Sequence, residues 1–214
     1  MSVAAVVVAG GHGLRFGGLK QFARIGNVSV AALSVEQAHS VASKVVLVVP
    51  EGYEGDGEGA DLVVVGGLSR AASVRAGLAH CGDATITVVH DAARPLATAL
   101  LFAAVVNEVR NGADAAIPGL AITDTVKRVA REGSSTIVRS TVSRDDLVTV
   151  QTPQAFRHDL LVRAHANEPE ATDDASLVEA LGARVVVVAG EPKNLKITQP
   201  GDLERVAALR GSAA

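Results

Sequence analysis

The sequence of 214 residues has little of what several protein classes depend on. Its one cysteine, Cys81, excludes a disulfide framework and a thiolate metal cluster, and we expect it to be a small buried residue. Aromatic residues make up 2% of the chain, too few for a surface that stacks single-stranded nucleic acid. The net charge of −3 is not that of a general nucleic-acid or acidic-membrane binder. We therefore expect neither nucleic acid nor a membrane as a partner.

Long apolar runs are also absent. The N-terminal run Val3–Ala9 has seven residues, far fewer than the roughly 18 that span a bilayer. No basic segment of the kind found in signal peptides precedes it. We interpret this run as a strand and expect a cytoplasmic protein.

Short β-branched runs alternate along the chain with longer segments of helical pattern. The strand candidates are apolar almost throughout, which indicates burial on both faces; they are Val3–Val8, Lys44–Val49, Leu62–Val65, Thr85–His90, Ala113–Pro118 and Arg184–Val188. Helices are predicted near residues 28–42, 69–80, 97–111, 157–166, 173–181 and 200–210. This alternation predicts an α/β fold: a single Rossmann-like domain over residues 1–214, with a mostly parallel twisted sheet flanked by helices.

One region, approximately residues 123–150, breaks the alternation. It is predicted to form two or three strands around a turn at "REGSS". On a single chain, apolar residues such as Val126, Val129 and Val138 would be left exposed. We expect a protruding β-arm that grips a second subunit and makes a homodimer; mere decoration of the core is the alternative.

The first strand candidate leads into a segment with five glycines, "AGGHGLRFGGLKQ". The dinucleotide fingerprint fails there because Phe16 stands where its third glycine is required. The P-loop pattern fails because Leu19 follows the second glycine in place of lysine. The remaining hypothesis is a triphosphate-binding segment. Its bare backbone would wrap the phosphates, and Arg15 and Lys20 would neutralise their charge. The alternative is a turn whose cations face water.

Asp91 follows directly on a strand candidate, at the carboxyl edge where parallel sheets bind ligands. A carboxylate placed among phosphates and cations is expected to hold Mg²⁺. A helix cap or an ion pair with Arg94 is the alternative for Asp91. The neighbouring His90 is interpreted as strand packing.

Seven segments, in this order along the chain, carry a resemblance to a known family. They are "GGLSRAASVRAGL", "VHDAARP", "TDTVKR", "TVSRDDL", "VQTPQAF", "TDDASLVE" and "KNLKIT". Together with the glycine-rich segment, they resemble the 2-C-methyl-D-erythritol 4-phosphate cytidylyltransferase family, over nearly the whole chain. These are nucleotidyltransferases that join a nucleoside monophosphate to a sugar or polyol phosphate.

The resemblance implies a role for each matching position. It implies CTP and methylerythritol phosphate as substrates, Mg²⁺ at Asp91, and catalytic cations at Arg15, Lys20 and Lys196. The implied nucleotide contacts are Ala9, Gly10, Gly11, Gly13, Gly67 and Ser73. The implied acceptor contacts are Asp91, Arg94, Thr125, Arg144 and Thr172, with the arm crossing to the neighbouring subunit. Simpler alternatives are a solvated strand-end lysine at 196 and helix caps at Ser73 and Thr172.

The chain departs from the family pattern on the nucleotide side. Val8 replaces a proline, Gly10 an alanine and Leu68 an acid, and the segment between Arg15 and Lys20 is two residues shorter. These changes bear on the choice of CTP more than on nucleotidyl transfer. The alternatives are therefore a sister enzyme with another acceptor, such as ribitol 5-phosphate, and a nucleotide-binding module without catalysis; a dinucleotide oxidoreductase ranks last on its failed fingerprint.

Overall fold

The computed structural model describes residues 1–11 and 16–211. The strands are β1 (Val3–Val8), β2 (Arg24–Ile25), β3 (Val28–Ser29), β4 (Lys44–Val49), β5 (Leu62–Val65), β6 (Ile86–Asp91), β7 (Ala115–Ala121), β8 (Val126–Glu132), β9 (Ser135–Val142), β10 (Val148–Val150), β11 (Gln154–Arg157) and β12 (Val185–Ala189). The helices are α1 (Val30–His39), α2 (Arg70–Leu78), α3 (Ala99–Arg110), α4 (His158–His165), α5 (Asp174–Glu179) and α6 (Pro200–Gly211), with a 3₁₀ turn at Lys20–Phe22.

An eight-stranded sheet forms the centre of the molecule, with the strand order β10-β7-β11-β6-β1-β4-β5; the eighth strand, β12, also pairs with β7. Strands β6, β1, β4 and β5 run parallel, as do β7 and β12. Helices pack on both faces, so the predicted α/β fold is confirmed. Among the described residues no helix has the length and apolarity to cross a bilayer.

Strand β11 was not predicted. It lies antiparallel between β6 and β7, so it interrupts the parallel order. Its sequence "QAFR" is short and carries polar residues at both ends, so it lacks the apolar run that marked the other strands. It is a strand because of the neighbours on either side of it, not because of its own pattern.

The two faces of the sheet bury alternate residues of the same strands. On one face Val7 and Leu47 join Phe102 of α3 in one apolar cluster. On the other face Val6 and Val48 join a second cluster with residues of α2, α4 and α5. Burial on both faces explains why the central strands are apolar almost throughout.

The predicted arm is a hairpin outside the main sheet. Strands β8 and β9 pair only with each other in the described structure, and the turn at Gly133 has a φ of 59°. Val129 and Val138 are 51% and 57% exposed. Strand β10 returns the chain to the main sheet beside β7.

Candidate active site

A cavity of about 460 Å³ opens at the carboxyl ends of β1 and β6. Val8 and Asp91, the last residues of these two parallel strands, are paired across them and both line it. This edge of a parallel sheet is where α/β proteins bind ligands. The other described lining residues are Ala9, Gly10, Gly11, Phe16, Lys20, Gln21, Gly67, Leu68, Ser69, Arg70, Ser73, Ala93, Lys196 and Thr198.

Bare backbone forms one wall of the cavity. A Cβ on Gly10 would lie 3.0 Å from Ser73 Oγ, and one on Gly67 would lie 2.4 Å from the Cβ of Ala72. The buried amide of Gln21 donates to the carbonyl oxygens of Ala9 (2.6 Å) and Gly11 (2.9 Å). The start of the glycine-rich segment is therefore held in place by Gln21 at the edge of the cavity.

Ser73 lies inside α2 and does not cap it. The cap is Ser69, whose Oγ accepts a hydrogen bond from the backbone N–H of Ala72 at 3.0 Å. Ser73 Oγ donates to the carbonyl of Ser69 at 2.9 Å and faces Gly10. The capping alternative for Ser73 is wrong. Leu68, just before the helix, lines the cavity and is fully exposed.

Two lysines from distant parts of the chain meet at the cavity. Lys20 Nζ donates to the carbonyl oxygen of Ile197 at 2.5 Å, and Lys196 Nζ lies 2.6 Å from Asp91 Oδ2. Lys196 was expected at the end of a strand, but the structure places it in irregular chain between β12 and α6. That chain is fixed by the buried Ile197, whose N–H donates to the carbonyl of Ala93 at 2.8 Å.

Asp91 lies between two cations. Its Oδ1 is 3.2 Å from Arg70 Nε, and its Oδ2 binds Lys196. Burial alone would raise the pKa of Asp91, but Lys196 and Arg70 outweigh it and hold that pKa well below its usual range. The carboxylate is therefore ionised. The alternative of an ion pair with Arg94 is wrong in its partner, because Asp91 pairs with Arg70 and Lys196 instead.

The cavity offers few side chains that could bind a metal ion. Among the described residues, no group of three His, Cys, Asp or Glu side chains could hold a metal ion. Asp91 is the one carboxylate among the described residues that line the cavity. Mg²⁺ typically takes only one or two protein carboxylates and completes its shell with phosphate oxygens and water. Asp91 fits the role of such a single carboxylate ligand.

His90 and Arg94 lie behind the cavity and do not line it. His90 is buried, packs on Phe102 with ring centroids 4.9 Å apart, and hydrogen-bonds with Thr152 Oγ1 and the carbonyl of Arg94. Burial lowers the pKa of His90 to about 4, so the ring is neutral, and its interpretation as strand packing is confirmed. Arg94 donates to the carbonyl of Asn194 at 2.8 Å.

The remaining acceptor positions stand apart from the cavity. Thr125, Arg144 and Thr172 are exposed and line no part of it. The Arg144 side chain donates to the carbonyl of Thr123, within the arm. The cap of α5 is Asp173, which accepts from the N–H of Ser176 at 3.2 Å, so the capping alternative for Thr172 is wrong.

Two of the expected residues, Gly13 and Arg15, lie outside the described residues. The other expected nucleotide contacts, Ala9, Gly10, Gly11, Gly67 and Ser73, are brought together by the fold. So are Lys20, Asp91 and Lys196.

Sequence reasoning missed Arg70 and its second partner, Asp174. The two side chains bind at 2.8 Å although they are 104 residues apart in the chain. Each stands in a segment that carried the family resemblance, which was the one available signal; the pairing itself appears only in the fold.

Comparisons with known proteins agree with this geometry. The family model of 2-C-methyl-D-erythritol 4-phosphate cytidylyltransferase matches residues 3–210. The enzyme of that name from Rhodococcus jostii is 44% identical over 97% of this chain and 94% of its own length. The bifunctional enzyme IspD/IspF of Anaeromyxobacter sp. is also 44% identical over 97% of this chain, which spans only 57% of that relative.

A solved structure extends the comparison to the fold. The crystal structure of the Thermus thermophilus 2-C-methyl-D-erythritol 4-phosphate cytidylyltransferase is 35% identical, with a TM-score of 0.82 over 98% of both chains. Sequence and fold lead to the same assignment. The chain belongs to the 2-C-methyl-D-erythritol 4-phosphate cytidylyltransferase family.

Proposed function

We propose that this protein transfers CMP from CTP to 2-C-methyl-D-erythritol 4-phosphate and releases pyrophosphate, in the cytoplasm. The observation that carries the proposal is the meeting of Lys20 and Lys196 at a cavity walled by bare backbone. Three cations and one carboxylate line the described part of this cavity: Lys20, Arg70, Lys196 and Asp91. That excess of positive charge suits a triphosphate.

The nucleotide is proposed to lie along the backbone wall. Ala9, Gly10, Gly11, Gly13, Gly67 and Ser73 would contact its base, ribose and phosphates. Support comes from Gly10 and Gly67. A Cβ at either position would crowd a side chain of α2, so this wall of the cavity requires glycine. The N-terminus of α2, at Ser69 and Arg70, also lines the cavity and adds a favourable partial charge for phosphate.

In the proposed reaction, a phosphate oxygen of the acceptor attacks the α-phosphorus of CTP. The new P–O bond forms as the bond to the β-phosphate oxygen breaks, and pyrophosphate leaves with the electron pair. Both reactants are anions, so positioning and charge neutralisation supply the catalysis. We assign the neutralisation to Lys20, Lys196 and Arg15.

Asp91 is the residue proposed to hold Mg²⁺. The bound ion would screen the charge of the phosphates. The low pKa of Asp91 supports this role, because the carboxylate is ionised before any substrate arrives. Lys196 and Arg70, which bind the carboxylate oxygens, keep it in the cavity.

The acceptor is proposed to bind between two subunits. Asp91 would come from the cavity, with Arg94 behind it, whereas Thr125 and Arg144 belong to the arm and Thr172 lies on the surface before α5. The exposed valines of the arm support a homodimer, since a single chain leaves them in water. Arginine at position 144 suits a phosphate because its planar guanidinium can donate two parallel hydrogen bonds.

The test measures pyrophosphate release from CTP and methylerythritol phosphate with Mg²⁺, for wild type and Lys20→Ala. We expect release that needs both substrates and a loss of roughly 100-fold or more in kcat for the variant, because it removes a cation that stabilises transition-state charge. Lys193→Ala is the matched control; Lys193 is exposed and does not line the cavity, so its variant should behave as wild type.

Other results would move the proposal in defined ways. Release with ribitol 5-phosphate alone would change the acceptor, and release with another nucleotide would implicate Gly10 and Leu68 in base choice. Binding of CTP without release from any pair would leave a nucleotide-binding module and contradict the proposed enzyme.

A further inference from the structure

A row of five side chains runs from the cavity into the body of the protein. Lys196 Nζ binds Asp91 Oδ2 at 2.6 Å, and Asp91 Oδ1 binds Arg70 Nε at 3.2 Å. Arg70 Nη1 then binds Asp174 Oδ2 at 2.8 Å, and Asp174 Oδ1 binds His165 Nε2 at 3.0 Å. The row joins the ends of β6, α2, α4 and α5 to the irregular chain that carries Lys196.

The two inner side chains of the row are the most buried. Lys196, Asp91 and Arg70, which line the cavity, have side chains that are 40%, 11% and 22% exposed, whereas those of Asp174 and His165 are 1% and 3% exposed. The inner end is therefore the fixed end, because a buried carboxylate with two charged or polar partners has little freedom to move. Asp174 therefore holds Arg70, which in turn holds Asp91 and, through it, Lys196.

Arg70 connects the two carboxylates of the row, Asp91 and Asp174. A guanidinium can bind two carboxylates at once through separate nitrogens in a fixed plane, and Arg70 does so with Nε and Nη1. A lysine ammonium in its place is a single point charge on a flexible stem. It would not fix the orientation of Asp91 relative to Asp174.

We propose that Arg70, anchored by Asp174, is a positioning residue that sets the orientation of Asp91 and, through it, of Lys196. The proposal rests on the function proposed above, because Asp91 and Lys196 are assigned there to the reacting phosphates. Arg70 acts on the reaction through these two residues. A shift of about 1 Å in a reacting geometry is enough to lower a rate by roughly 100-fold.

The test uses two variants of the full-length protein, Arg70→Lys and Asp174→Asn. Both replacements keep the approximate size of the side chain and remove the paired geometry or its charge. We expect kcat to fall at least tenfold in each, with the KM and the dissociation constant for CTP within threefold of wild type. The double variant should lose little more than the worse single variant, because both act through one contact.

Arg75→Lys is the matched control. Arg75 lies on the same helix and its side chain is 21% exposed, close to the 22% of Arg70, but its ion pair is with Glu170 at 3.8 Å. Its variant should keep the kcat of wild type. The folded fraction of every variant, measured by circular dichroism, separates a change in rate from a loss of folded protein.

Each result decides one point. An active wild type with unchanged variants would overturn the positioning role alone. A raised KM for CTP at constant kcat would make Arg70 a nucleotide contact and overturn it as well. Failure of both variants to fold, beside a folded Arg75→Lys, would make the row a folding element only. A wild type that releases no pyrophosphate from any pair would overturn the proposed function and this inference together.

Discussion

The cavity and the arm are built in opposite ways. At the cavity and directly behind it, side chains such as Gln21, Asp91 and Asp174 are buried and have defined hydrogen-bond or ion-pair partners. On the arm, the residues of β8 and β9 are exposed or half-buried, and valines such as Val138 face water.

This contrast distinguishes the part of the candidate site that a single chain assembles from the part that it does not. Among the described residues, those expected to meet the nucleotide and its phosphates are assembled within the chain. Of the residues expected to meet the acceptor, only Asp91 lines the cavity. This division matches the proposal of an active site shared between two copies.

The largest expected effects come from substitutions that damage the cavity and the arm separately. Lys196→Ala damages the cavity and Arg144→Ala the arm, and each alone should lower kcat/KM by roughly 100-fold or more. If arms cross between subunits, co-expression of the two variants forms mixed dimers with one intact site each. The mixture should then recover about one quarter of the wild-type activity, from the random pairing of two chains in a symmetric dimer.

The control is each variant co-expressed with itself under a second tag. If the mixed preparation is no more active than the two variants measured apart, Arg144 and Lys196 serve the same chain's site. The shared site would then be wrong.

Acid should affect the buried region and spare the arm. The folded pKa of His90 is about 4, whereas unfolded histidine has a pKa near 6.5. As pH falls below 6.5, the unfolded chain takes up the proton first, so stability is lost between about pH 6.5 and 4. The loss should reach about 3 kcal/mol, measured by urea unfolding at pH 7 and at pH 4.

His90→Gln should start less stable at pH 7 and show a flatter dependence over the same range. The exposed His80 offers the matched variant, His80→Gln, which should follow the wild-type curve. The stability that Asp91 contributes is present at neutral pH and is lost mainly below about pH 4, because its pKa is lowered in the folded protein from an unfolded value near 3.9. A His90→Gln curve parallel to wild type would contradict the assignment.

The smallest expected effect concerns the glycine-rich segment. Gln21→Ala removes the two hydrogen bonds that hold the carbonyls of Ala9 and Gly11. We expect the KM for CTP to rise about tenfold, because the nucleotide must then order this backbone as it binds. The half-buried Gln37 on α1, away from the cavity, supplies the control Gln37→Ala. An unchanged KM would show that the loop needs no such anchor.

Much of the fold could be predicted because the central strands carry their own signal. Strands β1, β4 and β5 match their expected bounds because each is an almost unbroken apolar run. Such runs are typical of strands buried on both faces, as β1 and β4 are, whereas the edge strand β5 is only half-buried. Strand β11 could not be found this way, since its burial comes from β6 and β7 on either side.

Site residues could be predicted from the sequence where their position follows from a nearby strand or turn. They could not be predicted where their role depends on a contact between two side chains that are distant in the chain. Lys20 and Asp91 could be placed because each follows a strand or a glycine-rich turn at the ligand-binding edge. The pairing of Arg70 with Asp174 depends on how α2 and α5 approach each other. No local pattern records that approach.

The pairing of β7 with β10 makes the arm a replaceable part. Ala121 and Val148 are direct partners in this ladder, so the chain leaves the sheet and returns to it at one point. Residues 122–147 can therefore lengthen, shorten or be exchanged with those of a relative without moving a strand of the main sheet. The subunit contacts proposed for the arm can therefore change, in evolution or by protein engineering, at this one junction, while the cavity keeps its architecture.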